Sequence, residues 1–241
     1  MRKKNARSLA GRFFWASLLL AVTASAFSCG GSGEVEAVHD GQHAVTDDLG
    51  RMVKVPARVE RAISLAPNLT EMIFAVGAGD RLVGVTTYCN YPDEAKLIEK
   101  VGDTQTPNIE RIIALKPQVV FVSTSSQLEA FASSLAEQDI SVYVTNPKTL
   151  DEVFKDLVQI GDLFGNREQA EHLVADLKTR AGAVSDGKNR ITGEPEPDRH
   201  APRVFVQISK EPLFTIGKDS FLTALIDSAG GESVTKDIAS G

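Results

Sequence analysis

The sequence has little of several residue types that mark particular classes of protein. Its 241 residues include only two cysteines, Cys29 and Cys89, which are too few for a disulfide framework. Aromatic residues make up 6% of the chain, and tryptophan occurs once, at Trp15. The longest predominantly apolar run, Phe13–Phe27, has 15 residues, whereas a membrane-spanning helix needs about 20. These features exclude a disulfide-rich secreted domain and a polytopic membrane protein.

Positive charge is also scarce, with 26 basic against 32 acidic residues and a formal net charge of -6. Five of the basic residues fall within residues 1–28, which contain no acidic residue, so the rest of the chain is still more acidic. Nucleic-acid binding requires a basic face, and this balance therefore argues against it. The length and the 42% apolar content predict one large or two small globular domains.

Catalytic and metal-binding motifs are missing as well. There is no Gly-x-Ser-x-Gly elbow, phosphate-binding loop or His-Glu-x-x-His sequence. The four histidines are spread over the chain and predict no metal site: His39, His43, His172 and His200. We therefore predict that the protein is not an enzyme and holds no cofactor, and keep an exported metal-chelate-processing enzyme as the alternative from another class.

The N-terminus has the pattern of an export signal, with basic residues before a short apolar core, and we assign residues 1–28 to it. Ala26-Phe27-Ser28-Cys29 resembles a lipoprotein cleavage box, which predicts lipidation of Cys29 and a lipid anchor in the membrane. Cleavage after Ala24-Ser25-Ala26 would instead release a soluble protein. Residues 29–44 are predicted to be a flexible tether. In both cases the folded part lies outside the cytoplasm.

Residues 45–165 are predicted to form an α/β lobe, because short apolar runs alternate with helical patterns. Asn68 is the predicted cap of the first helix. Strands joined by helices imply a parallel sheet covered on both faces, with ligands at the carboxyl ends of the strands. The predicted strands are Ala62–Leu65, Leu82–Val85, Val119–Val122 and Ser141–Val144, and a helix is predicted over Gln127–Glu137.

A long helical region follows this lobe. Thr149 is predicted to cap a helix that ends at Gly165-Asn166, and residues 166–187 are predicted to form a single backbone helix that joins two lobes. Residues 188–202 are predicted to be a loop. Residues 203–241 are predicted to begin a second α/β lobe with a strand over Val204–Ile208. Because only about 40 residues are left for it, we expect this lobe to be incomplete.

Several motifs, taken in order, resemble the periplasmic solute-binding proteins of ABC importers, in the helical-backbone group that carries metal complexes. The nearest likeness is to cobalamin-binding proteins. It implies two Rossmann-like lobes joined by one helix, a site between the lobes, a metal-chelate ligand, and a monomer that delivers it to a permease dimer. The matching segments are Ile63–Glu71, Val83–Val85, Tyr88–Pro92, Val101-Gly102, Asn108–Pro117, Pro212–Lys218 and Ala229–Glu232.

The resemblance also implies particular residue roles. Tyr88 corresponds to a ring that stacks on cobalamin, with a loop tyrosine covering the sheet edge as the alternative. Phe214 is either a ring facing the cleft or a core residue, and Tyr91-Pro92 is interpreted as a stiff loop. Glu110 corresponds to a glutamate that docks into arginines of the permease, with favourable placement beside the helix dipole as the alternative. The full set of predicted ligand-binding residues is Tyr88, Pro67, Asn68, Thr104, Ser123 and Phe214.

Two positions depart from the cobalamin binders. Those proteins carry tryptophans where this chain has Thr104 and Ser123, so rings are replaced by hydroxyl groups. Thr124, Ser125 and Ser126 add further hydroxyls, or serve to cap a helix. A receptor for cobalamin or a related corrinoid is therefore the first prediction, and a receptor for a ferric siderophore or haem is the second.

Overall fold

The computed structural model describes residues 41–123, 129–191 and 201–239. The predicted export signal, Cys29, and the run Thr124–Ser126 lie outside these residues. The division into tether, lobes and backbone helix stays a prediction, although the bounds of individual elements can be compared with it.

A parallel four-stranded sheet forms the centre of the protein, with the strands in the order Leu82–Val85 (β4), Ala62–Ser64 (β3), Val119–Ser123 (β5) and Ser141–Thr145 (β6). Each strand is a run of apolar or β-branched residues that is buried because helices cover both faces of the sheet. The four strands match those predicted to within one residue at each end.

Helices link these strands and pack two apolar clusters against the sheet. One cluster contains Phe121, whose ring centroid lies 5.6 Å from that of Tyr143 and 5.7 Å from that of Phe164. The other contains Ile112, the buried residue of the helix that follows Asn108. The connecting helices are α1 (Pro67–Ala75), α2 (Ile109–Ala114) and α3 (Glu129–Ala136).

Two antiparallel helices follow the sheet, α4 (Leu150–Leu163) and α5 (Arg167–Ile191). The Thr149 hydroxyl accepts the Glu152 backbone N–H, and the Glu152 carboxylate accepts the Thr149 N–H, so the predicted cap is confirmed. A Cβ on Gly161 would lie 2.4 Å from Ala170 Cβ, so glycine permits the close approach of α4 and α5.

Helix α5 is longer than the sequence predicted. It runs for 25 residues to Ile191, so the first residues of the predicted loop 188–202 are helical. Glycine in a helix costs only about 1 kcal/mol relative to alanine, which is too little for Gly187 to end the helix. Val184, in the second half of α5, is exposed. No helix among residues 41–123, 129–191 and 201–239 is long and apolar enough to cross a membrane.

An antiparallel hairpin of β1 (Gln42–Thr46) and β2 (Met52–Pro56) precedes the sheet. The predicted tether, residues 29–44, therefore extends too far, because its last residues belong to β1. The hairpin turn is fixed by Asp47, which forms a 2.6 Å ion pair with Arg51.

The segment 201–239 holds short elements only. The strand predicted over Val204–Ile208 is divided, because its two parts pair with different partners, one parallel and one antiparallel. The Thr215 hydroxyl donates a 2.9 Å hydrogen bond to the Val206 carbonyl at the point of division. The elements are β7 (Arg203–Val204), β8 (Gln207–Ser209), β9 (Phe214–Thr215), α6 (Phe221–Ser228) and β10 (Glu232–Ser233).

Candidate functional site

The carboxyl ends of the parallel strands meet at one edge of the sheet, where α/β proteins bind ligands. A cleft of about 700 Å³ opens at this edge. Its walls come from α1, the loop after β4, the ends of β5 and β6, α4, α5 and α6. The residues lining it are Asn68, Glu71, Met72, Ala75, Tyr91, Ser123, Thr145, Asn146, Pro147, Val153, Leu157, Leu173, Leu177 and Phe221.

Helix α1 contributes one complete face to the cleft. Its lining residues Asn68, Glu71, Met72 and Ala75 have the spacing i, i+3, i+4 and i+7, which places them on a single stripe of a helix. The predicted capping role of Asn68 is wrong: the helix begins at Pro67, and Asn68 is its second residue. Proline favours the first helical position because it lacks the N–H that would be unpaired there. Asn68 is therefore free to face the cleft.

Two aromatic rings line the cleft from opposite parts of the chain. Tyr91 comes from the loop after β4 and is 66% exposed, and Phe221 comes from the first turn of α6. Tyr91, which the sequence analysis interpreted as part of a stiff loop, also lines the cleft. The sequence did not identify Phe221 as a cleft residue, because helical spacing alone does not distinguish a core residue from one that lines a cleft.

Tyr88 lies at the same edge of the sheet but outside this cleft, with 60% of its surface exposed. Its turn is held by buried polar contacts, since the Cys89 sulfur lies 3.1 Å from the hydroxyl oxygens of both Thr70 and Thr86. The Cys89 backbone N–H also donates to the Thr86 carbonyl. Cys89 is thus buried, and its contacts fix the backbone that presents Tyr88.

The other predicted ligand residues are divided between the cleft and its surroundings. Ser123 lines the cleft, whereas Pro67, Thr104 and Phe214 do not. The turn that contains Thr104 starts at Gly102, whose φ of +103° favours glycine. A Cβ at this position would also lie 2.7 Å from a backbone carbonyl oxygen, so glycine is required there. The Gly102 carbonyl accepts the Thr87 N–H at 2.9 Å, which joins this turn to the end of β4.

One wall of the cleft, Thr145–Pro147, is held by Asp48 of the β1–β2 turn. The Asp48 carboxylate accepts the Asn146 N–H at 2.7 Å and lies 3.3 Å from Lys155 Nζ. Behind this wall, Asp156 is buried and its Oδ2 has no hydrogen-bond partner among the described residues. Burial, together with the nearby Asp48 carboxylate, raises the pKa of Asp156 to about 7.

The charge of the lining is one-sided. Among the described lining residues, Glu71 is the only one with a carboxylate, and none is lysine, arginine or histidine. The remainder is apolar side chains, two rings, and hydroxyl and amide groups. Such a lining suits a large ligand with apolar faces and hydrogen-bonding substituents, without a strong negative charge.

Glu110 lies away from the cleft, in the first turn of α2, and is exposed. The Asn108 side chain caps this helix by accepting the Arg111 N–H at 2.9 Å. Arg111 in turn forms a 3.1 Å ion pair with Glu99. Glu110 forms no ion pair with any described residue, so its carboxylate is available to a cationic partner.

A second cavity, of about 440 Å³, lies beside the amino end of β6 and contains none of the predicted ligand residues. It is formed by the β1–β2 hairpin, α3 and β6. No group of three or more histidine, cysteine, aspartate or glutamate side chains able to hold a metal ion occurs in the described parts of the chain. The cleft at the carboxyl edge is therefore the candidate site.

A sequence profile of a family described as periplasmic binding protein matches residues 63–241. The chain belongs to the periplasmic binding protein family. The predicted receptor group and α/β fold class are thereby confirmed. A vitamin B12-binding protein of Pectobacterium carotovorum is 34% identical over 178 residues, which are 74% of this chain and 62% of that protein. This periplasmic binding protein thus spans less than two thirds of the length of that relative.

Further relatives bear other names. An uncharacterized ABC transporter substrate-binding lipoprotein of Bacillus subtilis, YvrC, is 31% identical over 92% of this chain and 72% of that protein. The crystal structure of the vitamin B12-binding protein BtuF of Vibrio cholerae matches with 27% identity and a TM-score of 0.66, over 77% of this chain and 69% of that one. The structure of the haem-binding protein RhuT of Roseiflexus matches with 25% identity and a TM-score of 0.62, over 72% of this chain and 65% of that one.

Proposed function

We propose that this periplasmic binding protein is the substrate-binding component of an ABC importer that captures cobalamin or a related corrinoid outside the cytoplasm. It is a receptor and not an enzyme, and the chelate is its transported ligand. The observation that carries the proposal is the cleft at the carboxyl edge, which combines two aromatic rings with hydroxyl and amide groups and has no described basic side chain. Relatives named for vitamin B12 support the same ligand class.

The rings explain how a large, partly flat ligand would be held. Tyr91 and Phe221 come from elements that are distant in sequence, so a ligand in contact with both would bridge the sheet region and α6. Aromatic side chains offer a large contact area with little loss of conformational entropy. Asn68, Ser123 and Asn146 supply polar groups at the cleft, suited to the peripheral amides of a corrinoid. Tyr88 and Phe214 lie outside this cleft, and as ligand contacts both stay predictions.

The charge of the lining favours a corrinoid over the alternatives. Ferric siderophores are commonly anionic, and haem carries propionate carboxylates. A site for such ligands is expected to present basic side chains, since a buried or half-buried anion needs a charged partner. A haem or ferric-siderophore receptor is therefore the second candidate, supported by the haem-binding structural relative.

Titration of the purified chain with cyanocobalamin, haem and a ferric siderophore, followed by calorimetry, tests the ligand. We expect the tightest binding for cyanocobalamin. Tyr91→Ala should weaken that binding about tenfold, because stacking is lost, whereas Tyr88→Ala should weaken it less. Tight binding of the siderophore alone would contradict the corrinoid proposal.

We further propose that Glu110 docks the receptor onto a permease dimer. Its exposed and unpaired carboxylate, on a helix fixed by the Asn108 cap, supports this role. An exposed charge pair contributes about 0–1 kcal/mol, so Glu110→Ala should lower transport about two- to fivefold and leave ligand affinity unchanged. Glu137→Ala, an exposed carboxylate after α3, is the matched control. Loss of ligand affinity in Glu110→Ala would contradict the docking role.

A lipid anchor at Cys29 completes the proposal. The lipoprotein-like sequence around Cys29 supports it, and so does the relative described as a substrate-binding lipoprotein. The anchor would keep the receptor close to its permease at the outer face of the membrane. The alternative is a soluble periplasmic form.

A further inference from the structure

We propose that Glu71 is a specificity-determining residue that disfavours anionic chelates in the cleft. This inference rests on the proposed function, and it narrows the ligand class to neutral or cationic chelates. Its role is electrostatic: the carboxylate lines the cleft that would hold the ligand.

The position of Glu71 is fixed by the helix on which it lies. Glu71 shares the cleft-facing stripe of α1 with Asn68, Met72 and Ala75. The opposite face of the helix is anchored by Leu69 and Ile73, which are fully buried in the core. Because the buried face sets the rotation of α1, Glu71 cannot turn away from the cleft without unpacking the helix.

The Glu71 charge is not neutralised by its surroundings. Glu71 forms no ion pair with any described residue, and no described lining residue is basic. The neighbouring lining side chains are apolar, amide or hydroxyl groups, which screen a charge poorly. A ligand group beside Glu71 therefore lies near a negative charge that no described lining residue compensates.

The expected effect is moderate because Glu71 is exposed and salt screens it. One ligand carboxylate near Glu71 should weaken binding about three- to tenfold at low ionic strength. The effect should decline as salt is added, whereas stacking on the rings should not. Salt dependence thus separates a charge effect from a change of shape.

The test compares cyanocobalamin, which is neutral overall, with its monocarboxylic acids. Each acid is formed by hydrolysing one peripheral amide, and the isomers are purified and titrated one at a time. These pairs differ by one negative charge and little in shape. We expect the parent protein to bind at least one of the acids about three- to tenfold more weakly than cyanocobalamin. In Glu71→Gln, the ratio of the two dissociation constants should fall to within about twofold. Glu137→Gln is the control, because Glu137 precedes β6 at the opposite edge of the sheet, and it should keep the original ratio.

An unchanged ratio for every acid in Glu71→Gln would overturn the role of Glu71. If the chain binds haem but no corrinoid, the corrinoid proposal fails, and haem with its dimethyl ester becomes the test pair. If Glu71→Gln then binds haem more tightly than the parent does, and binds the ester equally well, the charge role of Glu71 is supported independently of the corrinoid proposal. Unchanged affinity for haem would overturn that role. Binding of neither pair would overturn both proposals.

Discussion

The sheet region, from β3 to the end of α4, and the segment 201–239 bury apolar side chains very differently. In the sheet region, large residues such as Phe121, Tyr143 and Ile160 are almost completely inaccessible to solvent. In the segment 201–239, Ile216 is the only described large apolar residue that is buried. Seven large apolar residues are exposed there: Phe205, Ile208, Leu213, Phe214, Leu222, Val234 and Ile238.

This difference shows which elements derive their order from tertiary packing and which from local bonds. The sheet region is held by packing on both faces of four strands. The segment 201–239 relies on local contacts, such as the Ser220 cap of α6 and the 2.8 Å hydrogen bond from the Thr223 hydroxyl to the Gly217 carbonyl. Since Phe221 lines the cleft, one of its walls belongs to the less densely packed region.

The largest expected effect comes from truncating one phenylalanine in each region. Phe121 is 0% exposed and packs between two rings, so Phe121→Ala should lower the free energy of unfolding by about 3–5 kcal/mol. Phe205 is 51% exposed, and Phe205→Ala should cost less than about 1 kcal/mol. Urea unfolding of both variants measures the difference. Equal losses would show that residues 201–239 have a packed core of their own.

The sheet region is also where the sequence was most informative. Each strand is an apolar run with its own helical connection, and the Thr149 cap is a local signal, so both follow from short stretches of chain. The position of the site at the carboxyl edge follows from the parallel order of the strands. Asn68 and Ser123 were predicted as ligand residues and line the cleft.

Features that depend on tertiary packing were not predicted. Tyr91 and Phe221 reach the cleft because separate elements meet there, and no local pattern encodes that meeting. The strand over Val204–Ile208 is divided because its two parts pair with different partners, which a run of apolar residues does not reveal. The end of α5 was placed too early, since its last residues are polar and give no periodic signal.

A smaller effect tests an exception to the comparison, which is the buried carboxyl of Asp156 in the sheet region. Asp156 is 1% exposed, and it faces Asp48, Lys155 and Glu152, with the Tyr143 hydroxyl also close enough to be affected. In the segment 201–239, by contrast, the buried polar groups of Ser233 and Thr235 are paired, because their hydroxyls form a 3.1 Å hydrogen bond with each other. The better packed region therefore carries the less well satisfied polar group.

The raised pKa of Asp156 makes this exception depend on pH. An aspartate in an unfolded chain has a pKa of about 3.9, whereas that of folded Asp156 is raised to about 7. Between these values Asp156 binds more protons in the folded than in the unfolded state, so its contribution to the free energy of unfolding falls as pH rises through that window. Below about pH 4 both states are protonated, and the penalty is absent.

Asp156→Asn should therefore remove this dependence of the free energy of unfolding on pH, because asparagine resembles the protonated acid and does not ionise. Screening by the exposed Lys155 limits the effect, and we expect the variant to be about 2 kcal/mol more stable than the parent at pH 8 and nearly equal at pH 4. Urea unfolding across this range measures both. Asp162→Asn, at an exposed carboxylate further along α4, should keep the parent slope. A stability difference between Asp156→Asn and the parent that does not grow between pH 4 and pH 8 would show that Asp156 is ionised in the folded state without penalty.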